Sequence, residues 1–211
     1  MKKVLVLGAG GQIARWVIGM LAHKDDVKLT LFLRHANKLQ NASQNAQVVQ
    51  GDVLDRKQLG SVVAGQDIVY ANLTGADIDE QAKAIVEAMG VAKVKRLIFV
   101  ASLGIYDEVP GIFGAWNHRQ IGAYLPPFRR AADAIEASGL EYTILRPAWL
   151  TDKDEVDYET TERDEPFKGT EVSRKSVADL IVKLIDSPKR SVRGNLGVDK
   201  PKTDSDKASF F

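Results

Sequence analysis

The chain contains no cysteine. This absence excludes disulfide bonds, thiolate catalysis and cysteine-based zinc sites, and it fits a reducing compartment. Histidine is scarce as well, since the chain has three residues of this type and none is paired at the spacing of metal ligands. We therefore expect no metal site.

Long apolar segments are lacking too. After two lysines, the opening MKKVLVLG has only four apolar residues before glycine, fewer than the apolar core of a signal peptide. No apolar stretch approaches the roughly 20 residues of a membrane-spanning helix. The formal net charge is +1, which gives no indication of a nucleic-acid partner. We expect a cytoplasmic protein that binds neither membranes nor nucleic acids.

Short apolar stretches alternate along the chain with amphipathic, helix-like stretches. This pattern predicts an α/β fold with a doubly wound parallel sheet, whose ligands bind at the carboxyl ends of the strands. The 211 residues suit one domain over 1–211. The six predicted strands are Lys3–Gly8, Val27–Arg34, Ala46–Asp52, Gln66–Leu73, Lys95–Ser102 and Glu141–Pro147.

Three predicted helices have clear boundary signals. The first runs from Asp77 to Gly90 and opens with a capping box formed by Asp77 and Glu80. The second, over 126–139, begins with two prolines. The third is capped by Ser173 and ends before Pro188.

The segment 151–166 departs from this alternation, because it carries eight acidic residues against two basic ones. Its VDYETTE stretch alternates like an exposed strand. We predict a small acidic hairpin or lid over 151–171, after the sixth strand; the alternative is a solvated loop. The tail 200–211 is polar and is expected to be loosely ordered, although its SFF sequence could dock.

A cluster of glycines, GAGGQIA, joins the first predicted strand to a helix. Gly8 permits a tight turn, and Gly10 and Gly11 would let the backbone approach a pyrophosphate. The first amides of the helix then face the anion, which the helix dipole favours. The alternative is a structural turn without a ligand. The position of the cluster at the first strand end favours a dinucleotide site.

The end of the second strand indicates which dinucleotide. NAD-binding domains usually place an acidic residue there for the ribose hydroxyls, but no acidic residue occurs from Val27 through Gly51. Arg34 stands instead where the 2′-phosphate of NADP would lie, with Lys38 one helical turn further on. A guanidinium matches phosphate geometry. We therefore favour NADP (NADPH) over NAD; a solvated surface arginine is the alternative.

Two further strand ends carry polar residues. Asp52, in the sequence GDV with Val53, could accept a hydrogen bond from an adenine amine, or it could cap the following helix. The sequence ANLTG at 71–75 is small and polar, which suits the lining of a cofactor groove.

Together these features resemble the atypical short-chain dehydrogenase/reductase superfamily, in particular its NmrA-like, NAD(P)H-binding branch. The motifs that carry the resemblance are Gly8-x-x-Gly11-x-x-Ala14, LRHANKL, GDV, ASLGIY at 101–106, ASGLEYTILRPAWLTD at 137–152 and VSRKSVADLI at 172–181. The resemblance covers nearly the whole chain and implies a Rossmann fold. It implies that NADP contacts Gly8, Gly10, Gly11, Gln12, Ile13, Arg34, Asp52, Val53, Asn72, Leu73, Thr74 and Ser102, with Pro147, Ala148 and Trp149 near the nicotinamide carboxamide.

The chain departs from this family in its catalytic residues. Catalytic members usually carry Tyr-x-x-x-Lys, in which the tyrosine is the acid or base and the lysine lowers its pKa. Here Tyr124 is followed four residues later by Phe128. Related chains often have lysine where Arg129 or Arg130 stands, and an arginine such as Arg130 could still hold the ribose.

Other residues allow two interpretations each. Ser102 could hydrogen-bond a substrate carbonyl or cap a turn, and we take it with Tyr124 as the catalytic candidates. Tyr106 is a second candidate tyrosine, with packing as the alternative. Arg146 could bind an acidic substrate, but we favour a role in anchoring the acidic segment by salt bridges. GIFGAWN, at 111–117, could form an apolar wall of the pocket.

These residues support two hypotheses of function. The first is an NADPH-dependent oxidoreductase that reduces a small carbonyl or quinone-like substrate. The second is a non-catalytic sensor of NADP(H) that acts through a regulatory protein partner, and the missing Tyr-x-x-x-Lys pair motivates it. The sequence leaves open whether the chain forms a homo-oligomer.

Overall fold

A computed structural model describes residues 1–39 and 46–211. The strands are β1 (Lys2–Leu7), β2 (Val27–Leu33), β3 (Ala46–Gln50), β4 (Ile68–Ala71), β5 (Arg96–Val100), β6 (Glu141–Pro147), β7 (Trp149–Thr151), β8 (Glu159–Thr161), β9 (Glu171–Ser173) and β10 (Gly194–Asp199). The main sheet has eight strands in the order β3-β2-β1-β4-β5-β6-β10-β8, and a smaller sheet pairs β7 with β9.

Helices cover both faces of the main sheet. They are α1 (Gln12–Leu21), α2 (Arg56–Val63), α3 (Ile78–Ala92), α4 (Gly111–Ile121), α5 (Leu125–Glu136) and α6 (Arg174–Asp186). Alternate residues of β1 point to opposite layers: Val4 and Val6 pack with α1 and α6, whereas Leu5 and Leu7 pack with α2, α3 and α5. Burial on both faces explains why the central strands β1, β4 and β5 are mostly apolar, whereas β3, at one edge of the sheet, is mostly exposed.

The predicted doubly wound parallel sheet is confirmed. All six predicted strands are present as β1 to β6, and they pair in parallel. Sequence reasoning missed β10, which pairs in parallel with β6. Its sequence GNLGVD contains two glycines and an asparagine, residues that are depleted in strands.

Helix boundaries agree with the predictions in part. Ser173 caps α6, because its side chain accepts a hydrogen bond from the amide of Ser176. The capping box at Asp77 is wrong: Asp77 makes no side-chain cap, since its carboxylate accepts from the side chain of Gln81 instead. α3 also continues past the predicted stop at Gly90 to Ala92, and its C-cap residue Lys93 takes the left-handed conformation.

The acidic segment pairs with the rest of the fold. β8 lies antiparallel to β10 at the edge of the main sheet, and β7 pairs in parallel with β9, so the pairing differs from the side hairpin that we predicted. Its carboxylates meet cations from elsewhere in the chain, such as Arg174 with Asp152 and Lys200 with Glu155. A role as a lid stays a prediction.

No helix in the described ranges is long and apolar enough to cross a membrane.

Candidate cofactor site

The glycine loop lies between the end of β1 and the start of α1. Gly8 has a φ of +79°, a conformation that side chains disfavour. A Cβ at Gly8 would collide with the backbone carbonyl of Asn72, and one at Gly11 would collide with the Asn72 side chain. Glycine is therefore required here because the loop after β4 approaches the glycine loop closely.

The N-terminus of α1 has no side-chain cap and is therefore free to bind an anion. Gly11 is the N-cap residue, so it provides no side-chain acceptor, and the first turn contains no acidic residue. The first amides of a helix have no partner within the helix. A pyrophosphate would supply the missing acceptors and a favourable charge for the helix dipole.

A cleft of about 210 Å³ opens beside this loop. It runs along the carboxyl ends of β1, β2, β3 and β4, where ligands of doubly wound folds bind. The predicted cofactor residues that it brings together are Gly8, Gly10, Gly11, Arg34, Asp52, Val53, Asn72, Leu73 and Thr74. These residues follow four neighbouring strands, which is where the adenosine and pyrophosphate part of a dinucleotide binds in a doubly wound fold.

Arg34 lies at the rim of the cleft, directly after the last residue of β2. Its side chain is exposed, and within the described ranges it forms no ion pair with a carboxylate. The guanidinium is thus available to a phosphate. The side chain of Lys38, the second predicted cation, lies outside the described part of the structure.

Asp52 faces the same cleft without capping α2. Its Oδ1 accepts a hydrogen bond from the Leu54 amide at 2.9 Å. The helix cap is Asp55, whose carboxylate accepts from the amides of Lys57 and Gln58. The helix-cap alternative for Asp52 is therefore wrong.

The cleft also contains residues that sequence reasoning missed. Gln81 donates hydrogen bonds from its Nε2 to the Thr74 carbonyl at 3.3 Å and to Asp77 Oδ1 at 2.8 Å, which fixes the loop after β4. Asp77 was predicted to cap α3 because it matches a capping motif, but in the structure it lines the cleft. The missed lining residues are Phe32, Leu33, His35, Gly51, Asp77 and Gln81.

The remaining predicted cofactor residues lie outside this cleft. Ser102 follows β5, and its hydroxyl donates to the Leu103 carbonyl at 3.2 Å. Ile13 and Ala148 are buried in the core, so they can offer a ligand only their backbone. Pro147 is the buried last residue of β6, and Gln12 lines a separate depression beside Arg15, Trp16, Asp152 and Arg174. Their contact with a cofactor stays a prediction.

The candidates near α5 are placed differently from a catalytic pair. Tyr124 immediately precedes α5, and 62% of it is exposed. Arg130 forms an ion pair with α3, in which its Nε lies 2.7 Å from Asp79 Oδ2. That hydrogen bond lowers the pKa of the Asp79 carboxyl, so this carboxyl is charged at neutral pH.

Tyr106 belongs to a packed polar network. Its hydroxyl donates to Glu136 Oε1 at 3.0 Å and accepts from Asn195 Nδ2 at 2.7 Å. The guanidinium groups of Arg129 and Arg163 lie 4.6 and 4.5 Å from the centre of its ring. Burial first, and Glu136 second, raise the pKa of this phenol far above its ordinary value. These contacts favour the packing interpretation of Tyr106.

Arg146 is fully buried and anchors neighbouring segments. Its guanidinium forms an ion pair with Glu108 and donates to Asn195 Oδ1 at 2.8 Å and to the Glu162 carbonyl at 3.2 Å. The Glu162 contact reaches the acidic segment. The geometry therefore supports the structural role that we favoured for Arg146.

Five aromatic residues meet beyond the end of β6, and we call them the aromatic cluster. The rings of Trp116 and Trp149 are 4.8 Å apart, and Phe113 stacks on Trp116 at 5.9 Å. From the tail, Phe211 lies within 5.1 Å of both tryptophans and Phe210 lies 6.5 Å from Trp149. The SFF sequence thus docks onto the GIFGAWN helix and Trp149.

Comparison with known proteins agrees with this geometry. A family model described as NAD(P)H-binding matches residues 8–188. A Rossmann-fold NAD(P)-binding family protein from Shigella flexneri is 56% identical, with 100% of both chains covered and a TM-score of 0.88. A short-chain dehydrogenase/reductase of Veillonella parvula DSM 2008, solved in complex with NADP, is 27% identical, with 99% of both chains covered and a TM-score of 0.89.

A curated relative is similar in length. The "uncharacterized sugar epimerase YhfK" of Bacillus subtilis (strain 168) is 26% identical over 197 residues, which is 87% of this chain and 88% of that protein.

Proposed function

The chain belongs to the NAD(P)H-binding family of Rossmann-fold oxidoreductases, and from this premise we propose that it is an NADPH-dependent reductase of a small carbonyl or quinone-like substrate. The observation that carries the proposal is the cleft that joins the glycine loop, Arg34 and Asp52 in one surface.

The rim of the cleft favours NADPH as the cofactor. β2 is followed by Arg34 and His35, both exposed, where a carboxylate would be needed to hold the two ribose hydroxyls of NAD. A guanidinium attracts the 2′-phosphate that distinguishes NADP. The related V. parvula structure contains NADP, which adds support from a homologue.

The residues present fit the parts of this dinucleotide. The loop at Gly8–Gly11 would hold the pyrophosphate, Asp52 the adenine amine, and the segment Asn72–Thr74 the part of the cofactor that crosses β4. When bound, NADPH supplies a hydride from its nicotinamide. Ser102 stands after β5, next along the edge of the sheet, where its hydroxyl would polarise an acceptor oxygen.

The proton would come from Tyr124 or from water. Tyr124 is mostly exposed and has no lysine partner four residues on. This placement favours water. We also expect a protein of the cytoplasm that acts on a small molecule, without nucleic acid or membrane as partner.

The proposal is tested by two measurements on the purified protein. The first is the Kd of NADPH and of NADH from the fluorescence of the bound nicotinamide. The second is the oxidation of NADPH against a panel of quinones, aldehydes and flavins. Tighter binding of NADPH than NADH, with turnover of at least one acceptor, is the expected result. Binding of NADPH without turnover of any acceptor would contradict the reductase proposal.

That outcome would favour the second candidate, a non-catalytic NADP(H) sensor that acts through a protein partner. The specific observation in its favour is the exposed Tyr124, which stands without the usual lysine. A sensor would still show the preference for NADPH, because the preference depends on Arg34 and not on catalysis.

A further inference from the structure

The aromatic cluster lies at the edge of the sheet where the proposed reaction would take place. Trp149 is two residues beyond Pro147, the last residue of β6, and β6 is paired in parallel with β5, which leads to Ser102. Ligands of doubly wound folds bind at this carboxyl edge. The cluster is therefore on the same edge as the candidate catalytic serine.

Asn117 connects the cluster to the loop after β5. The indole Nε1 of Trp149 donates to Asn117 Oδ1 at 2.9 Å. From the other side, Gly104 approaches Asn117 so closely that a Cβ there would lie 2.8 Å from its Nδ2. Asn117 thus contacts both Trp149 and the loop that carries Ser102.

The two phenylalanines of the tail form the open side of the cluster. Phe211 meets Trp149 and Trp116 edge to face, at interplanar angles of 84° and 73°, an arrangement that aromatic pairs prefer. Phe210 lies 5.3 Å from Phe211. About half of each phenylalanine is exposed, 51% and 52%, so each presents aromatic surface to a ligand.

The position of this pair is fixed by polar contacts. The Ser209 amide donates to Glu171 Oε2 at 3.0 Å, and the other oxygen of Glu171 lies 2.6 Å from Lys153 Nζ. Ala208, one residue earlier, is fully buried. The tail is held at the cluster by more than the contact of its rings.

We infer that the aromatic cluster binds the electron acceptor, that this acceptor is a flat aromatic ring system, and that Phe210 and Phe211 determine its specificity. The inference rests on the proposed function. A conjugated ring can contact several aromatic faces at once, whereas a small aliphatic carbonyl cannot. For a quinone, one hydride from NADPH and one proton from water give the hydroquinone and NADP⁺, so that atoms and electrons balance.

Tryptophan fluorescence gives a test that is independent of turnover. The chain has three tryptophans, and in a Trp16→Phe background the emission reports only Trp116 and Trp149. We expect menadione, the aromatic quinone used as probe, to quench this emission with a saturable Kd. Phe210→Ala/Phe211→Ala should raise that Kd about tenfold, the effect of removing two aromatic contacts.

Matched variants separate stacking from folding. Phe210→Leu/Phe211→Leu keeps apolar side chains on the tail but should also raise the Kd, whereas Phe210→Tyr/Phe211→Tyr should bind menadione as the parent does. Val91→Ala changes an exposed apolar residue on α3 and should change nothing. In each of these variants the Kd of NADPH should stay within about twofold of the parent.

The kinetic comparison uses menadione and the aliphatic diketone diacetyl as acceptors. We expect the alanine pair to raise the KM for menadione about tenfold and to leave the KM for diacetyl within about twofold. If the variant still oxidises NADPH, an unchanged Kd for menadione, or equal changes in KM for both acceptors, would overturn the inference. Absence of NADPH oxidation with every acceptor would instead overturn the proposed function, and the acceptor role with it.

Discussion

Replacement of Arg34 by glutamate should convert the cofactor preference of the chain. Arg34 is exposed at the rim of the cleft. The energy of its interaction with a phosphate about 4 Å away therefore lies between about 1 kcal/mol, the value in water, and about 4 kcal/mol, the value near a protein surface. A change from attraction to repulsion there should weaken NADPH by about 2–3 kcal/mol. This corresponds to a rise in Kd of roughly 30- to 150-fold.

NADH lacks the 2′-phosphate and should lose less than about threefold in affinity. Titration of each cofactor, followed by nicotinamide fluorescence, measures both values. Arg34→Lys keeps the charge without the planar fork and should fall in between. Arg15→Glu, an exposed arginine on α1 that does not line the cleft, is the matched control for net charge and should affect NADPH and NADH alike. Equal losses for the two cofactors in Arg34→Glu would refute the assignment of the 2′-phosphate to this residue.

Three further predictions concern stability. Burial raises the pKa of Asp199 to about 6 from 3.8, so ionisation of this carboxyl opposes folding. Asp199→Asn should therefore stabilise the protein at pH 7.5 by up to about 3 kcal/mol. This gain should shrink as the pH falls through 6 towards 4, as measured by urea denaturation at each pH. Gly8→Ala should cost at least about 2 kcal/mol, because it combines a φ of +79° with a collision against the Asn72 carbonyl; thermal unfolding measures the loss. Ser173→Ala removes the α6 cap and should cost about 1 kcal/mol in the same assay.

Two of the three stability predictions have a matched control in the chain. Asp206→Asn changes an exposed carboxylate of the tail and should leave the pH dependence intact; a pH dependence that survives in Asp199→Asn would argue against burial of this group. Gly19→Ala lies in α1 with no atom within 4 Å of the added Cβ and should stabilise by about 0.5–1 kcal/mol. A Gly8→Ala variant as stable as Gly19→Ala would contradict the close approach of Asn72.

The sequence predicted the fold well where the signal is local. β1, β2, β4, β5 and β6 are largely apolar runs of strand length, and burial of both faces of a parallel sheet is enough to explain them. β3 lies at the sheet edge and is mostly exposed. β10 was not predicted, because its glycines and asparagine are not typical of a strand. It is stabilised by pairing with β6, an interaction between distant segments that leaves no local sequence pattern. α4 was missed as a helix for a related reason, since it begins at Gly111 and has another glycine at position 114.

The candidate site was predicted unevenly. The residues that follow strands, such as Arg34 and Asp52, could be placed because the carboxyl ends of parallel strands share one edge. Asp77 was misassigned, because a capping motif is a local pattern and the competing bond to Gln81 depends on the packing of the loop after β4. The contact of Phe211 with Trp116 joins residues far apart in the chain, so only the fold could establish it.

The most direct test of the account is a crystal structure of the protein grown or soaked with NADPH. We expect the pyrophosphate on the amides at Gly8–Gly11, the 2′-phosphate on the guanidinium of Arg34, and the nicotinamide towards Ser102 and Trp149. A bound dinucleotide whose 2′-phosphate lies away from Arg34, or an empty cleft at saturating NADPH, would contradict it.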